Sequence, residues 1–522
     1  MKRKLLVLGV DGLSEWSYRL LRGYGFFRSL AEVESRGILG SVETIPPLTP
    51  PMWTSIVTGV TPAKHGVYSF YVYEPGTWRP LRLYNNLDVM APMLHDIIGY
   101  NDGRSLVVNL PLSSWPPPSI RGSIVSDWLS PRDYAKPEWL NDTLRRELEE
   151  RRGWKGPCSI VARDAAIAST ILRHAERLIK EHDYIFYMVQ SVDGLLHRYP
   201  RQVVKPSEPC VRETLETIDE VFEKLLEPML DDHTVIVVSD HGNEPYEYRV
   251  TLPKALLRAG LVKQTFAELE ESAGSLEPLG GEESGGRGSL IARLVNAAIT
   301  NPLLGPLVAR VGRKLAPLLN ALGLNLGSVK RPVPDPENSI AVIPRPWNYG
   351  IYINERLVAN AEEAVERVVE ALEKAMEETG HRFLHAIVRA RESLKGPYAS
   401  QAPHVILAPE RGYDISGLNL YAPLIEKVRG LHANHTPYNI HMIAPSDQDP
   451  QLREAAEKVK EPWDYAVLAL LSLQLPIPSY TDSTLCERAK IRCKSVNYLV
   501  KYSIARRIAA RITGRKTSDT RT

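Results

Sequence analysis

Four short apolar runs, rich in β-branched residues and each broken off by a polar cluster, most limit the folds open to this 522-residue chain: Leu5–Val10, Ser105–Asn109, Tyr184–Val189 and Thr234–Val238. Each has the length of one strand, is apolar on both faces, and leads into a stretch with helical periodicity. Strands alternating with helices predict an α/β protein with a mostly parallel central sheet covered by helices on both faces. Ligands of such sheets bind beyond the carboxyl ends of the strands, so the residues just after each run are the ones to inspect.

The remainder of the chain is read around that core. Residues 1–261 are expected to form its first part, 262–400 an inserted helical cap and a following α/β segment, 401–486 its closing part, and 487–522 a basic C-terminal helix with a disordered tail. Character changes after Val262, where Gly280-Gly281 and Gly285-Gly286 interrupt the pattern. From Arg287 to Pro334 there is no acidic residue, while Arg293, Arg310, Arg313, Lys314, Lys330 and Arg331 punctuate a Leu/Ala/Val-rich stretch. Contact with an anionic membrane through the basic stretches 287–334 or 494–516 is possible but not favoured, a cap packed on the core being the preferred reading of the first. Ala361–Thr379 reads as an amphipathic helix, with strands expected at Gly350–Ile353 and His404–Ala408.

A net charge of +2 gives no sign of specific nucleic-acid binding. The basic start, Met1-Lys2-Arg3-Lys4, precedes an apolar run, but Asp11-Gly12 breaks that run and no small-residue cleavage site follows. It is read as the first buried strand of a cytoplasmic protein. Cys158, Cys210, Cys486 and Cys493 are too few and scattered for a zinc ribbon or a disulfide framework; Cys486 and Cys493 are close enough to pair, but free thiols are the expected reading.

One segment, Pro46 to Gly66, presents a hydroxyl in a stiff setting. Pro46, Pro47, Pro50 and Pro51 disfavour helix around Thr49, and Trp53–Thr58 reads as a helix starting just behind it. Backbone N–H groups and the helix dipole would then face whatever that hydroxyl attacks.

Carboxylates and imidazoles gather at the strand ends. Asp11 follows the first run in V-D-G, and Asp240-His241 follows the last in S-D-H-G-N. Asp193 and His197 are four apart in Q-S-V-D-G-L-L-H, on one face of a helical turn. His435 comes late in H-A-N-H-T-P-Y-N-I, with His432 three residues before it as the other choice. Singly, each has a plainer use as a helix cap or surface pair. Together they are too many ligands for one tetrahedral metal and enough for two.

In order, V-D-G, T-P-P-M-W-T-S-I-V-T-G with H-G after it, D-x-x-x-H, S-D-H-G and a late histidine resemble the alkaline phosphatase superfamily. Within it the chain is most similar to the type I phosphodiesterase/nucleotide pyrophosphatase family, from Leu5 to about Leu485. The resemblance implies an alkaline phosphatase-like fold and two divalent metal ions, zinc before manganese. It makes Thr49 the catalytic nucleophile. Asp11, Thr49, Asp240 and His241 would hold one metal, and Asp193, His197 and His435 the other. His65, in K-H-G, is expected to anchor its loop instead.

One departure concerns the substrate. Where the phosphodiesterase branch commonly carries an asparagine a few residues after H-G, this chain has Phe70, which cannot donate a hydrogen bond. Ser69 or Tyr68 would have to replace that donor, or the substrate differs from nucleotide diesters. The H-T-P-Y-N and S-D-H-G-N segments also resemble metal-dependent phosphoglycerate mutases, which use a serine in a different setting. The expected function is hydrolysis of phosphodiester or pyrophosphate bonds in a small phosphorylated, nucleotide-like substrate through a phosphothreonine. The alternatives are a phosphotransferase or phosphomutase of the same superfamily, and a non-catalytic protein that binds a membrane surface or partner.

Overall fold

All four apolar runs are strands of one sheet. In the computed structural model, which describes residues 3–116, 118, 120–268, 330–345, 349–446 and 449–512, they are β1 (Leu5–Val10), β3 (Ser105–Val108), β6 (Tyr184–Val189) and β7 (Thr234–Val238). Shorter strands β2 (Ile38–Gly40), β4 (Gly122–Val125), β5 (Ala135–Lys136) and β8 (His441–Ala444) complete it, in the order β2-β8-β7-β1-β6-β3-β4-β5. The inner pairings, from β7 through β1, β6 and β3 to β4, are parallel, and the outer ones are antiparallel. β3 ends one residue early because Asn109 turns to φ 61°.

Burial on both sides explains the unbroken apolar runs. Along β1, Leu6, Leu8 and Val10 enter one core cluster while Leu5 and Val7 enter another on the opposite face. Helix α1 (Thr49–Thr58) packs into the second through Trp53, Ile56 and Val57. Helices α2 (Pro157–Glu181) and α4 (Pro209–Leu226) cover the first, and between them in sequence lies α3 (Ser191–Arg198), which follows β6 directly.

The segment after residue 330 builds a second, four-stranded antiparallel sheet from Ala341–Val342, Gly350–Ile353, Val405–Pro409 and Leu384–Arg389, in that order. Helix Ala361–Thr379 has the expected bounds, because Asn360 caps the backbone N–H groups of Glu362 and Glu363 and Gly380 ends it at φ 66°. Of the basic stretch 287–334, only Lys330–Pro334 is described, as a strand beside Gln264–Glu268; the expected cap otherwise lies outside the described residues. So does the tail beyond α5 (Leu499–Ile512).

The expectation of free thiols is overturned. Cys158 pairs with Cys210, and Cys486 with Cys493. The first pair joins the opening turns of α2 and α4, which lie side by side although 52 residues separate the cysteines. Among the described residues no helix is long and apolar enough to cross a membrane.

Candidate active site

Register at the sheet's carboxyl edge brings the expected residues together. β1 pairs with β6 from Leu5↔Tyr184 to Val10↔Val189 and with β7 from Leu5↔Thr234 to Gly9↔Val238, so Asp11, Asp193 and Asp240 leave the sheet at one level. His435 arrives by a separate route. Strand Gly242–Val250 continues from the Asp240-His241 turn and pairs with Ala433–Thr436, setting His435 opposite Asn243.

Two clusters result, Asp11/Asp240/His241 and Asp193/His197/His435, each with ligand atoms within 4.8 Å of one another. In the first, His241 Nε2 lies 3.2 Å from Asp240 Oδ2 and 3.7 Å from Asp11 Oδ1. Thr49 Oγ1 sits 3.2 Å from the same nitrogen and is almost fully buried. In the second, the Nε2 atoms of His197 and His435 approach to 2.8 Å, with Asp193 carboxylate oxygens at 3.3 and 3.5 Å. The clusters abut, because the His241 and His435 rings stack at 3.8 Å. His432 is exposed, bonded to the Arg429 carbonyl, and outside both.

Both clusters fit cations. His435 Nδ1 contacts the Pro47 carbonyl at 2.8 Å and His241 Nδ1 the Gly242 carbonyl at 3.1 Å. A carbonyl only accepts, so each ring carries its proton on Nδ1 and turns a bare Nε2 lone pair into its cluster. Asp11 Oδ1 and Asp240 Oδ2 are buried with no hydrogen-bond partner among the described residues. Burial, then the charges of Asp240 and Asp193, hold the Asp11 carboxyl well above the usual carboxylate range, and Asp240 is raised by burial and Asp193. Burial also works against the Asp193 carboxylate, but the His197 imidazole beside it outweighs this and keeps it well below that range. Orphaned carboxylate oxygens facing convergent lone pairs are a donor set for divalent ions.

The loop bearing Thr49 differs from expectation at its helix. α1 starts at Thr49 itself, with Leu48 as N-cap and Pro50 and Pro51 inside the first turn, where a missing N–H costs nothing. The prolines therefore admit helix. They also strip two of the three leading N–H donors, leaving the Thr49 N–H and the dipole at the hydroxyl. Behind them Gly59, at φ 73°, ends the helix.

Supporting residues escaped the sequence reading. Asn243 Nδ2 donates to Asp193 Oδ1 at 2.8 Å, and the Asn434 side-chain oxygen accepts from His435 N. Asn434 Nδ2 in turn donates to the buried Asp414, which also accepts from Arg249. Asp164, on α2, accepts from Gln190 N, Ser191 N and Ser191 Oγ, each at 2.7 Å, and so holds the start of α3. The S-D-H-G-N motif already displayed Asn243. Asp164 shows only as a carboxylate on the buried face of an amphipathic helix.

Other expectations resolve by packing. His65 is buried between Ser55 Oγ and the Val67 N–H, an anchoring arrangement away from both clusters. Phe70 is buried against Trp128. Tyr68 donates its hydroxyl to the Tyr398 carbonyl and Ser69 Oγ is engaged with Tyr73 and the Tyr71 N–H.

The model of the type I phosphodiesterase / nucleotide pyrophosphatase family matches residues 5–304. No curated protein matches the chain. Among solved structures, phosphonoacetate hydrolase from Sinorhizobium meliloti 1021, in complex with phosphonoformate, is similar at TM-score 0.52 and 13% identity, covering 90% of this chain and 96% of that one. Human ectonucleotide pyrophosphatase / phosphodiesterase 5 gives 0.46 and 13%, over 92% and 97%. Alkaline phosphatase PafA gives 0.47 and 13%, over 95% and 98%. The chain belongs to the type I phosphodiesterase / nucleotide pyrophosphatase family, hydrolases of phosphoester bonds.

Proposed function

We propose that this chain hydrolyses phosphodiester or pyrophosphate bonds of a small, nucleotide-like substrate through a phosphothreonine on Thr49. Asp11, Thr49, Asp240 and His241 would hold one divalent cation, and Asp193, His197 and His435 a second. The observation that carries this is the position of Thr49 Oγ1, buried and 3.2 Å from the lone-pair nitrogen of His241, whose ring stacks on His435 of the other cluster. The carboxylate and imidazole donors favour Zn²⁺ over Mn²⁺. When bound, such ions would lower the pKa of the attacking hydroxyl and neutralise charge on the phosphoryl oxygens.

The protein's own part is positioning. Thr49 Oγ1 forms a bond to phosphorus in line with the departing oxygen, whose bond to phosphorus breaks, leaving the phosphoryl group on the threonine. The N-terminal end of α1 favours the anion there. Water attacking from the vacated side then releases phosphate, or a phosphomonoester from a diester, and restores the hydroxyl. Phe70 packs against Trp128, and its own side chain offers no hydrogen-bond donor at that position.

A chromogenic phosphodiester and a monoester should be assayed side by side with Zn²⁺, with Mn²⁺ and after chelation. Turnover that requires metal and disappears in Thr49→Ala, with metal still bound, is the expected result. Near-normal turnover in that variant would remove the threonine from the mechanism.

A further inference from the structure

The C-terminal helix α5 is turned the wrong way round for water. Its inward face seats Tyr502, whose hydroxyl donates to the Val89 carbonyl, and Arg506, which donates to the Leu87 carbonyl and is only 7% exposed. Its outward face carries Val500, Ile504, Ile508 and Ile512, spaced four apart and 63%, 49%, 54% and 80% exposed. A helix solvated on one side shows the opposite arrangement, with aliphatic residues inward and arginine outward. Lys501, Arg507 and Arg511 flank the aliphatic stripe, are exposed, and form no ion pair among the described residues. From Arg488 to Ser518 the sequence has no acidic residue, and Arg492, Lys494, Arg515 and Lys516 add to the same sign.

We propose that this face docks on an anionic lipid surface, the aliphatic stripe entering the headgroup boundary while the flanking cations meet lipid phosphates. Charge complementarity selects the occupant. The stretch 287–334, also without an acidic residue, would be repelled, and so would the same face of a second copy. A nucleic acid would satisfy the cations but leave four aliphatic side chains against a charged backbone. A bilayer interface offers apolar depth and negative charge together. The proposal departs from the sequence expectation, in which membrane contact through 494–516 is not favoured, and it does not depend on the reaction assigned above.

The test is sedimentation of the full chain with vesicles of phosphatidylcholine, with and without phosphatidylglycerol. Binding is expected only to the mixed vesicles and should weaken with salt. Ile504→Ser/Ile508→Ser and Arg507→Glu/Arg511→Glu should each lower the partition coefficient on the order of tenfold with unchanged thermal unfolding, since all four residues are exposed. Three results would overturn the proposal: wild-type protein that ignores phosphatidylglycerol, variants that both bind like wild type, or an isoleucine variant that instead converts a dimer to monomer in light scattering.

Discussion

At the scale of single residues, a backbone carbonyl decides what each central imidazole can do. Pro47 and Gly242 take the Nδ1 protons of His435 and His241, so both rings aim lone pairs at the clusters before any ligand arrives. Gly12 is equally constrained. It sits at φ 66°, and a Cβ there would meet Asp193 Oδ1 at 2.5 Å. Gly12→Ala is therefore expected to displace Asp193 and lower metal affinity by roughly 10–100-fold, read by titration calorimetry; wild-type affinity would contradict it. Away from the site, burial lowers the His441 pKa from 6.5 to about 4, where its partner is the Tyr465 hydroxyl. Its contribution to stability is complete above pH 6.5 and is lost as pH falls through 4, because the unfolded chain takes up the proton first. In urea unfolding across that window, His441→Phe should flatten the pH slope by up to ~3 kcal/mol. An unchanged slope would show that the other buried histidines, such as His65 and His404, carry it.

Secondary-structure elements show where sequence reading succeeds and where it stops. β1, β6 and β7 were legible because burial on both faces writes an uninterrupted apolar run, and Asp11, Asp193 and Asp240 were legible because parallel register places strand ends at one edge. The start of α1 was not, since prolines read as helix breakers are also first-turn residues. Nor was the Cys158–Cys210 bond, because helix adjacency across 52 residues has no local signature. The hold of Asp164 on α3 belongs to the same hidden class. All three bonds fall on one carboxylate oxygen, so Asp164→Asn keeps the shape and an acceptor there but removes the charge that strengthens them. It is expected to loosen the turn bearing Asp193 and His197 and to cut turnover on the order of tenfold. Excess metal should partly rescue the loss, an effect that simple misfolding would not show.

For the molecule as a whole, the two clusters join distant parts of the chain, and their unpaired charge opposes folding until it is neutralised. Burial, then the charges of Asp240 and Asp193, raises Asp11, and burial, then Asp193, raises Asp240. Divalent metal bound only to the folded state should stabilise it by about 2.7 kcal/mol at a hundredfold excess over its dissociation constant. Chelation is thus expected to lower the unfolding temperature and Zn²⁺ or Mn²⁺ to restore it, as scanning calorimetry can check; no change on chelation would count against both metal sites. The hydrogen bond between Pro47 and His435 spans 388 positions of the chain. A ribosome must therefore add 388 residues after Pro47 before the loop bearing Thr49 meets His435. Fragments released early carry the threonine but not the finished site, so catalysis begins only once synthesis has passed the point where the fold can hold it.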